Sequence, residues 1–255
     1  MTSRKETTVL FFHGFLGQPD DWEQVLAHLP SRTRWRFHCV NLWKDLPLIQ
    51  FTSMTEWLDA FVDKYRAVAP AVLCGYSLGG RLGMALACRH PEFVRALVAI
   101  SGHPGLVGEA EKRARVVDDQ RWGQIFTRES WEEATAQWNA RAVFGGHRTQ
   151  PRAESYDVRE LQVALDIFSL GRQPNLRPCL QGLAIPILWL AGERDAKFSA
   201  VAREEWLDQA RIQVALIPSC GHRLPHECPR QLACLLNDFF TGLEKDSSHD
   251  KRMTL

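Results

Sequence analysis

Ala71-Val72-Leu73-Cys74-Gly75-Tyr76-Ser77-Leu78-Gly79-Gly80-Arg81 joins an apolar run, a G-x-S-x-G pentapeptide and a helix-compatible segment that reaches His90. The order strand, tight turn, helix gives the pentapeptide its meaning. A serine at such a turn is held in strained backbone angles, and its flanking glycines let the strand and helix pass close together. The Ser77 hydroxyl is thereby lifted above a sheet edge and beside a helix N-terminus. An ordinary glycine turn would not account for the flanks.

Working outward, apolar runs at 9–12, 37–42, 96–100, 186–191 and 213–217 read as further strands. Helical segments alternate with them. One covers 20–29 with Pro19 near its start. Another covers 54–68, capped by Thr52 or Ser53, with Trp57, Leu58, Phe61, Val62 and Tyr65 at helical spacing. Such alternation implies parallel strands joined by right-handed crossovers. From Pro104 to about Gly182 Arg, Trp, Glu and Gln dominate, and 110–126, 130–143 and 155–170 read as amphipathic helices. The expected architecture is α/β: a mostly parallel sheet of about six strands flanked by helices, with a helical cap inserted before the last two strands. The core is expected over 1–103 and 183–243, the cap over 104–182 and a polar, frayed tail over 244–255.

The 255 residues are 45% hydrophobic, enough for a full core, and carry a formal net charge of +1. That balance gives no pull toward nucleic acid or an anionic membrane. Arg32, Arg34 and Arg36, interleaved with Trp35 and Phe37, read as the lead into a strand. Residues 1–8 are polar and short for a signal peptide, and no apolar run approaches a membrane span. A cytoplasmic monomer or small homo-oligomer acting on a small molecule is expected. Of seven cysteines, Cys39, Cys74, Cys88, Cys179 and Cys234 sit in apolar surroundings and none forms a C-x-x-C pair. They read as buried free thiols of a reducing cytosol. With no H-E-x-x-H and no Cys/His cluster at ligand spacing, neither metal nor cofactor is expected.

A serine hydroxyl is a poor base or nucleophile until an imidazole takes its proton. The imidazole needs a carboxylate to fix its tautomer and stabilise its charged form. Behind a turn of this kind the chain order is serine, acid, histidine. Asp195, in Gly192-Glu193-Arg194-Asp195, follows the strand at 186–191 and shares the serine's rim. It could instead cap the next helix, and Glu193 is the competing carboxylate. The other usual acid position, after 96–100, reads Ser101-Gly102-His103 and offers none. His222, in Cys220-Gly221-His222, is the expected base, with His226 the alternative and His13 and His103 read as pocket lining. The Leu78 amide, at a helix N-terminus, is one oxyanion donor. The second is Phe15, in His13-Gly14-Phe15-Leu16-Gly17.

Arg81 lies four residues after Ser77, on the same helical face. A buried guanidinium there is costly unless an anion pairs with it, and its fork suits a carboxylate. Arg113, Arg115 and Arg121 follow, with Trp122, Trp131 and Trp138. Alone, such an arginine stripe reads as a solvated face and the tryptophans as core.

These segments together resemble one family of α/β-hydrolases, the 2-succinyl-6-hydroxy-2,4-cyclohexadiene-1-carboxylate synthases of menaquinone biosynthesis. The match runs in order through His13-Gly14-Phe15, Gly75 to Arg81, Gly102-His103-Pro104-Gly105-Leu106, the Arg115 and Trp122 stretch, and Trp138. It continues through Gln173-Pro174-Asn175-Leu176, Gly192-Glu193-Arg194-Asp195-Ala196-Lys197-Phe198 and Gly221-His222. The serine turn and histidine are generic to the superfamily; Arg81, GHPGL and GERDAKF are the specific part. The resemblance implies a Ser77–Asp195–His222 triad, with Arg81, Arg115 and Trp138 binding the substrate's carboxylates and rings and Tyr76 lining the pocket. The family's further cap arginine has no clean counterpart, and Arg152 is the candidate. Where many relatives carry a Pro-Gly-His-Gly loop, this chain has Trp43-Lys44-Asp45-Leu46-Pro47. The two leading antiparallel strands of larger relatives are expected to be missing.

The implied reaction is elimination of pyruvate from an enol ether on a cyclohexene carboxylate, without hydrolysis. The rival is an esterase or carbon–carbon hydrolase using the same triad for acyl transfer. The arginines discriminate between them, since an ester pocket is mostly apolar. A non-catalytic hydrolase-like binding protein would need no intact triad.

Overall fold

The computed structural model describes residues 6–30 and 34–249. Its centre is a sheet of six parallel strands in the order β2-β1-β3-β4-β5-β6. In chain order, β1 (Thr7–Phe12) leads through α1 (Glu23–Ala27) to β2 (Trp35–Val40), and α2 (Met54–Tyr65) leads to β3 (Ala71–Tyr76). Next come α3 (Leu78–Arg89) and β4 (Val94–Ile100), then four helices: α4 (Glu109–Arg128), α5 (Trp131–Asn139), α6 (Val158–Ile167) and α7 (Arg177–Gly182). The chain closes with β5 (Ile187–Gly192), α8 (Ala196–Val201), β6 (Ile212–Ile217), α9 (Leu224–Glu227) and α10 (Pro229–His249).

Every residue of β3 and β5 is buried, because helices cover both faces of the sheet. Successive side chains enter opposite layers. Leu10, Phe12 and Leu73 pack with Trp57, Phe61 and Leu82 of α2 and α3. Val9, Phe11 and Val72 pack with Leu232, Leu236 and Phe240 of α10. Within α4–α6, capping is local chemistry. Ser130 and Glu133 form a capping box on α5, and the Asp157 side chain accepts from Arg159 N on α6.

The chain runs from β1 outward to β2 and then crosses back over β1 to β3, so the strand order reverses beside β1. Ligands bind at the carboxyl ends of strands at such a switch point. The register carries the loop after β1 next to Ser77, since Phe12 pairs with Gly75. It sets Ser101 beside them, since Tyr76 pairs with Ile100 and Ile100 with Leu190.

Several expectations shift. The edge strand β2 starts at Trp35 rather than 37, with Trp35 buried and Arg36 exposed; Arg32 lies outside the described residues. The helix expected over 20–29 divides into a 3-10 turn, Pro19–Trp22, and the short α1. The tail expected to fray from 244 is helical to His249, because Phe239, Phe240 and Leu243 anchor α10 to the sheet; 250–255 lie outside the described residues. Of the thiols expected to be free, Cys88 of α3 and Cys179 of α7 form a disulfide, with Cα atoms 5.8 Å apart. Proximity of two packed helices, invisible in the spacing, makes that pair. Cys39, Cys74, Cys220, Cys228 and Cys234 are free, and Cys234 is exposed rather than buried.

Candidate active site

Ser77 sits between β3 and α3 at φ 52° and ψ −108°, a strained position for a residue with a side chain. The turn is tight enough that a Cβ on Gly75 would strike the Gly79 carbonyl, and one on Gly79 the Phe12 carbonyl. Ser77 N donates to Ile100 O at 2.8 Å, which ties the turn to β4. The Ser77 hydroxyl lies 3.1 Å from His222 Nε2, and His222 Nδ1 lies 2.6 Å from Asp195 Oδ2. His222 and Asp195 are both buried. Asp195 also caps α8 by accepting from Phe198 N at 3.2 Å, so one carboxylate faces the imidazole and caps a helix at once.

The competing residues stand elsewhere. Glu193 accepts from Ser219 N at 3.3 Å and is exposed. His226 faces Asp21 at 3.6 Å. His13, expected to line the pocket, is instead fully buried outside it. Its ring bonds Gly14 O at 2.8 Å and receives Leu42 N at 3.1 Å, and burial lowers its pKa. It ties the loop after β1 to the loop after β2. There Trp43 donates to Gly17 O at 2.7 Å and packs against Phe15.

Above the serine lies a cavity of about 580 Å³, a common size for a small-molecule site. Phe15 and Leu78 line it, and among the described residues neither backbone N–H has a protein acceptor. Tyr76 also lines it, with its ring 5.5 Å from His222 and its phenol pKa raised by burial. Trp138 packs at 4.8 Å on Phe15 and edge-on at 4.9 Å to Trp122.

Arg81 is buried at the cavity wall. Its Nε donates to Gln173 Oε1 at 2.8 Å and its Nη2 to Phe168 O at 2.5 Å. Both partners are neutral, and among the described residues no carboxylate stands within ion-pair distance. Burial, then the nearby Arg115, lower its pKa to about 9, with Asp119 opposing. Arg115 Nε donates to both carboxylate oxygens of buried Asp119 at 2.9 Å, and Ser169 Oγ donates to Asp119 at 2.8 Å. Arg113 and Arg121 are exposed, as a solvated stripe would be.

Arg152 lies at the outer mouth, 71% exposed and 3.8 Å from Asp20. Two further cations not assigned from the sequence line the cavity, half-buried Arg141 and exposed Lys197. The Arg141 guanidinium carbon lies 4.5 Å from the Trp138 ring centroid and 5.3 Å from that of Trp122, and its Nη2 reaches the Asp118 carboxylate at 3.5 Å. Arg141 follows Trp138 by three positions, the one signal that linked them. Lys197 stood inside the GERDAKF match, and burial lowers its pKa. Arg223, next to His222, stacks 3.8 Å from the Phe144 ring and donates to His147 O at 2.7 Å.

A serine–histidine–aspartate line at the carboxyl edge of a parallel sheet, below inserted helices, defines a protein of the α/β-hydrolase class. The model of the Alpha/beta hydrolase family matches residues 9–233. Within that class the chain belongs to the family of 2-succinyl-6-hydroxy-2,4-cyclohexadiene-1-carboxylate synthases. It is 32% identical over 243 residues to the synthase of Enterobacter sp. (strain 638), covering 89% of each chain. It is 33% identical over 238 residues to that of Salmonella paratyphi C (strain RKS4594), covering 87% of this chain and 89% of the relative. The structure of MenH from S. aureus superposes with a TM-score of 0.83 at 23% identity, over 95% of this chain and 96% of that one.

Proposed function

We propose that the protein is a lyase that eliminates pyruvate from 2-succinyl-5-enolpyruvyl-6-hydroxy-3-cyclohexene-1-carboxylate. The product is 2-succinyl-6-hydroxy-2,4-cyclohexadiene-1-carboxylate, a step of menaquinone biosynthesis in the cytoplasm. Ser77 acts as the base through His222, with Asp195 holding the imidazole in the required tautomer. The proton at ring carbon 2 is acidic because the carbanion it leaves is conjugated with the succinyl carbonyl. As that C–H bond breaks, a 2,3 double bond forms, the 3,4 bond moves to 4,5, and the C5–O bond breaks. The departing enolpyruvate takes up a proton to become pyruvate. No bond forms between Ser77 and substrate.

Charge developing on the succinyl oxygen meets the Phe15 and Leu78 amides, donors fixed before the reaction begins. Positioned proton transfer contributes about 100- to 10,000-fold; orientation and electrostatics supply the rest. The observation that carries this reading is Arg81, a buried cation with only neutral partners, in a cavity shared with Arg115, Arg141 and Lys197. An acyl-transfer site has no use for that much fixed positive charge, whereas this substrate brings three carboxylates. We assign Arg141, rather than exposed Arg152, to the place of the family's further cap arginine, and the helices α4–α6 to the role of a cap.

Among the described residues no helix is long and apolar enough to cross a membrane. The test is pyruvate release from the enolpyruvyl precursor by the purified protein. Release that Ser77→Ala lowers by at least 1,000-fold is expected (roughly the loss of a positioned base). Fast cleavage of a short aryl ester without any pyruvate release would replace the lyase with the esterase.

A further inference from the structure

Ser101, at the end of β4, combines three features. Its backbone lies in the left-handed region at φ 46°. It is 1% exposed, and its hydroxyl has no hydrogen-bond partner. It lines the cavity on the strand that hydrogen-bonds the Ser77 turn. Its backbone amide is satisfied by Leu190 O at 2.8 Å, so the fold needs a main chain here but no hydroxyl. Glycine would relieve the strained φ and remove an unsatisfied buried polar group together. Strain and an orphaned donor held at one site point to a partner that arrives with a ligand.

His103, two residues on, also lines the cavity. Gly105 N donates to its Nδ1 at 3.1 Å, so the proton of the neutral ring sits on Nε2. Burial, then Lys197, Arg177 and Arg81, lower its pKa to about 3, which keeps it neutral at working pH. Gln173 donates to His103 O at 3.1 Å while its own Oε1 accepts from Arg81. Arg81, Gln173 and His103 therefore form one braced wall, two residues along the chain from Ser101.

We propose that the Ser101 hydroxyl and His103 Nε2–H form a neutral two-donor subsite, backed by Arg81, that grips one carboxylate of the substrate. The assignment rests on the lyase reading for which substrate is bound, but not for the presence of the subsite. A carboxylate accepts up to four hydrogen bonds, so two neutral donors and a guanidinium can share it without adding another charge to a crowded cationic pocket.

The test is steady-state kinetics of pyruvate release with Ser101→Gly and His103→Phe, alongside thermal melting. Each variant is expected to raise KM about tenfold, the worth of one lost hydrogen bond to a charged group, with kcat within about threefold. Ser101→Gly should melt no lower than the parent, because it removes strain. An unchanged KM, or a KM change accompanied by a lower melting point in Ser101→Gly, overturns the proposal in favour of a purely structural serine. If the parent protein releases no pyruvate, the lyase reading fails on its own. The subsite is then read from succinate binding, followed by tryptophan fluorescence. Binding about tenfold weaker in Ser101→Gly upholds it, and equal binding overturns it.

Discussion

At the scale of the residue, Arg81 exposes a consequence of desolvation. A guanidinium with two neutral acceptors and a neighbouring Arg115 is held at about 9 rather than its usual 12.5. It is charged at neutral pH, and its charge is lost as pH rises through that value. The grip on an anionic substrate should therefore be flat from pH 7 to 8, and KM should climb through about 9. KM for a neutral aryl ester should stay level over the same range. Lys197 lines the same cavity and its pKa is also lowered by burial, so the profile is repeated in Lys197→Gln. If the rise in KM vanishes in that variant, the titration belongs to the lysine. The place of Arg81 in the cavity wall was legible because a four-residue step from a fixed serine leaves little freedom. Arg141 and Arg152 were not separable that way. Which of them enters the cavity depends on where α5 ends and how the following loop returns, and no local periodicity records that.

At the scale of the element, a side chain of α6 reaches the backbone of the loop before α2. Glu160, buried on α6, accepts from Leu48 N and from Ile49 N, the latter at 3.4 Å. A charged acceptor on two backbone donors is the stronger kind of hydrogen bond. Glu160→Ala should cost about 1.5–3 kcal/mol, read from the urea midpoint at unchanged slope. Glu160→Gln, which keeps one acceptor, should lose less. A loss under about 0.5 kcal/mol would mean water replaces the carboxylate freely. The central strands were easy to place because burial on both faces leaves an unbroken apolar run, as in β3. Edge strand β2 started two residues early because its alternation of Trp35, Arg36 and Phe37 reads as a basic lead-in. The last turns of α10 were missed because Glu244 onward is polar. Helix there continues from an anchored stem, beyond its own apolar face.

At the scale of the whole molecule, the sheet places six loops on one rim, and residues more than a hundred positions apart meet at hydrogen-bond distance. That convergence was readable because the serine turn fixes one strand end and the order serine, acid, histidine fixes two others. What stayed unreadable is where the inserted helices give way to the core. α7 falls inside the stretch expected to be cap, yet it packs on α3, the helix that starts beside Ser77. The Cys88–Cys179 bond joins the two helices across 91 residues of chain. Closing so long a loop removes many conformations from the unfolded chain, so the bond should contribute about 2–4 kcal/mol. Purified without reductant and denatured, the protein should titrate five thiols of its seven cysteines, and all seven after reduction. Cys88→Ser with Cys179→Ser should lower the melting point while leaving pyruvate release at room temperature close to the parent's, since neither sulfur lines the cavity. Seven titrating thiols without reductant would mean that α7 is held on α3 by packing alone. The stability of α3 would then rest on Leu180 and its apolar neighbours.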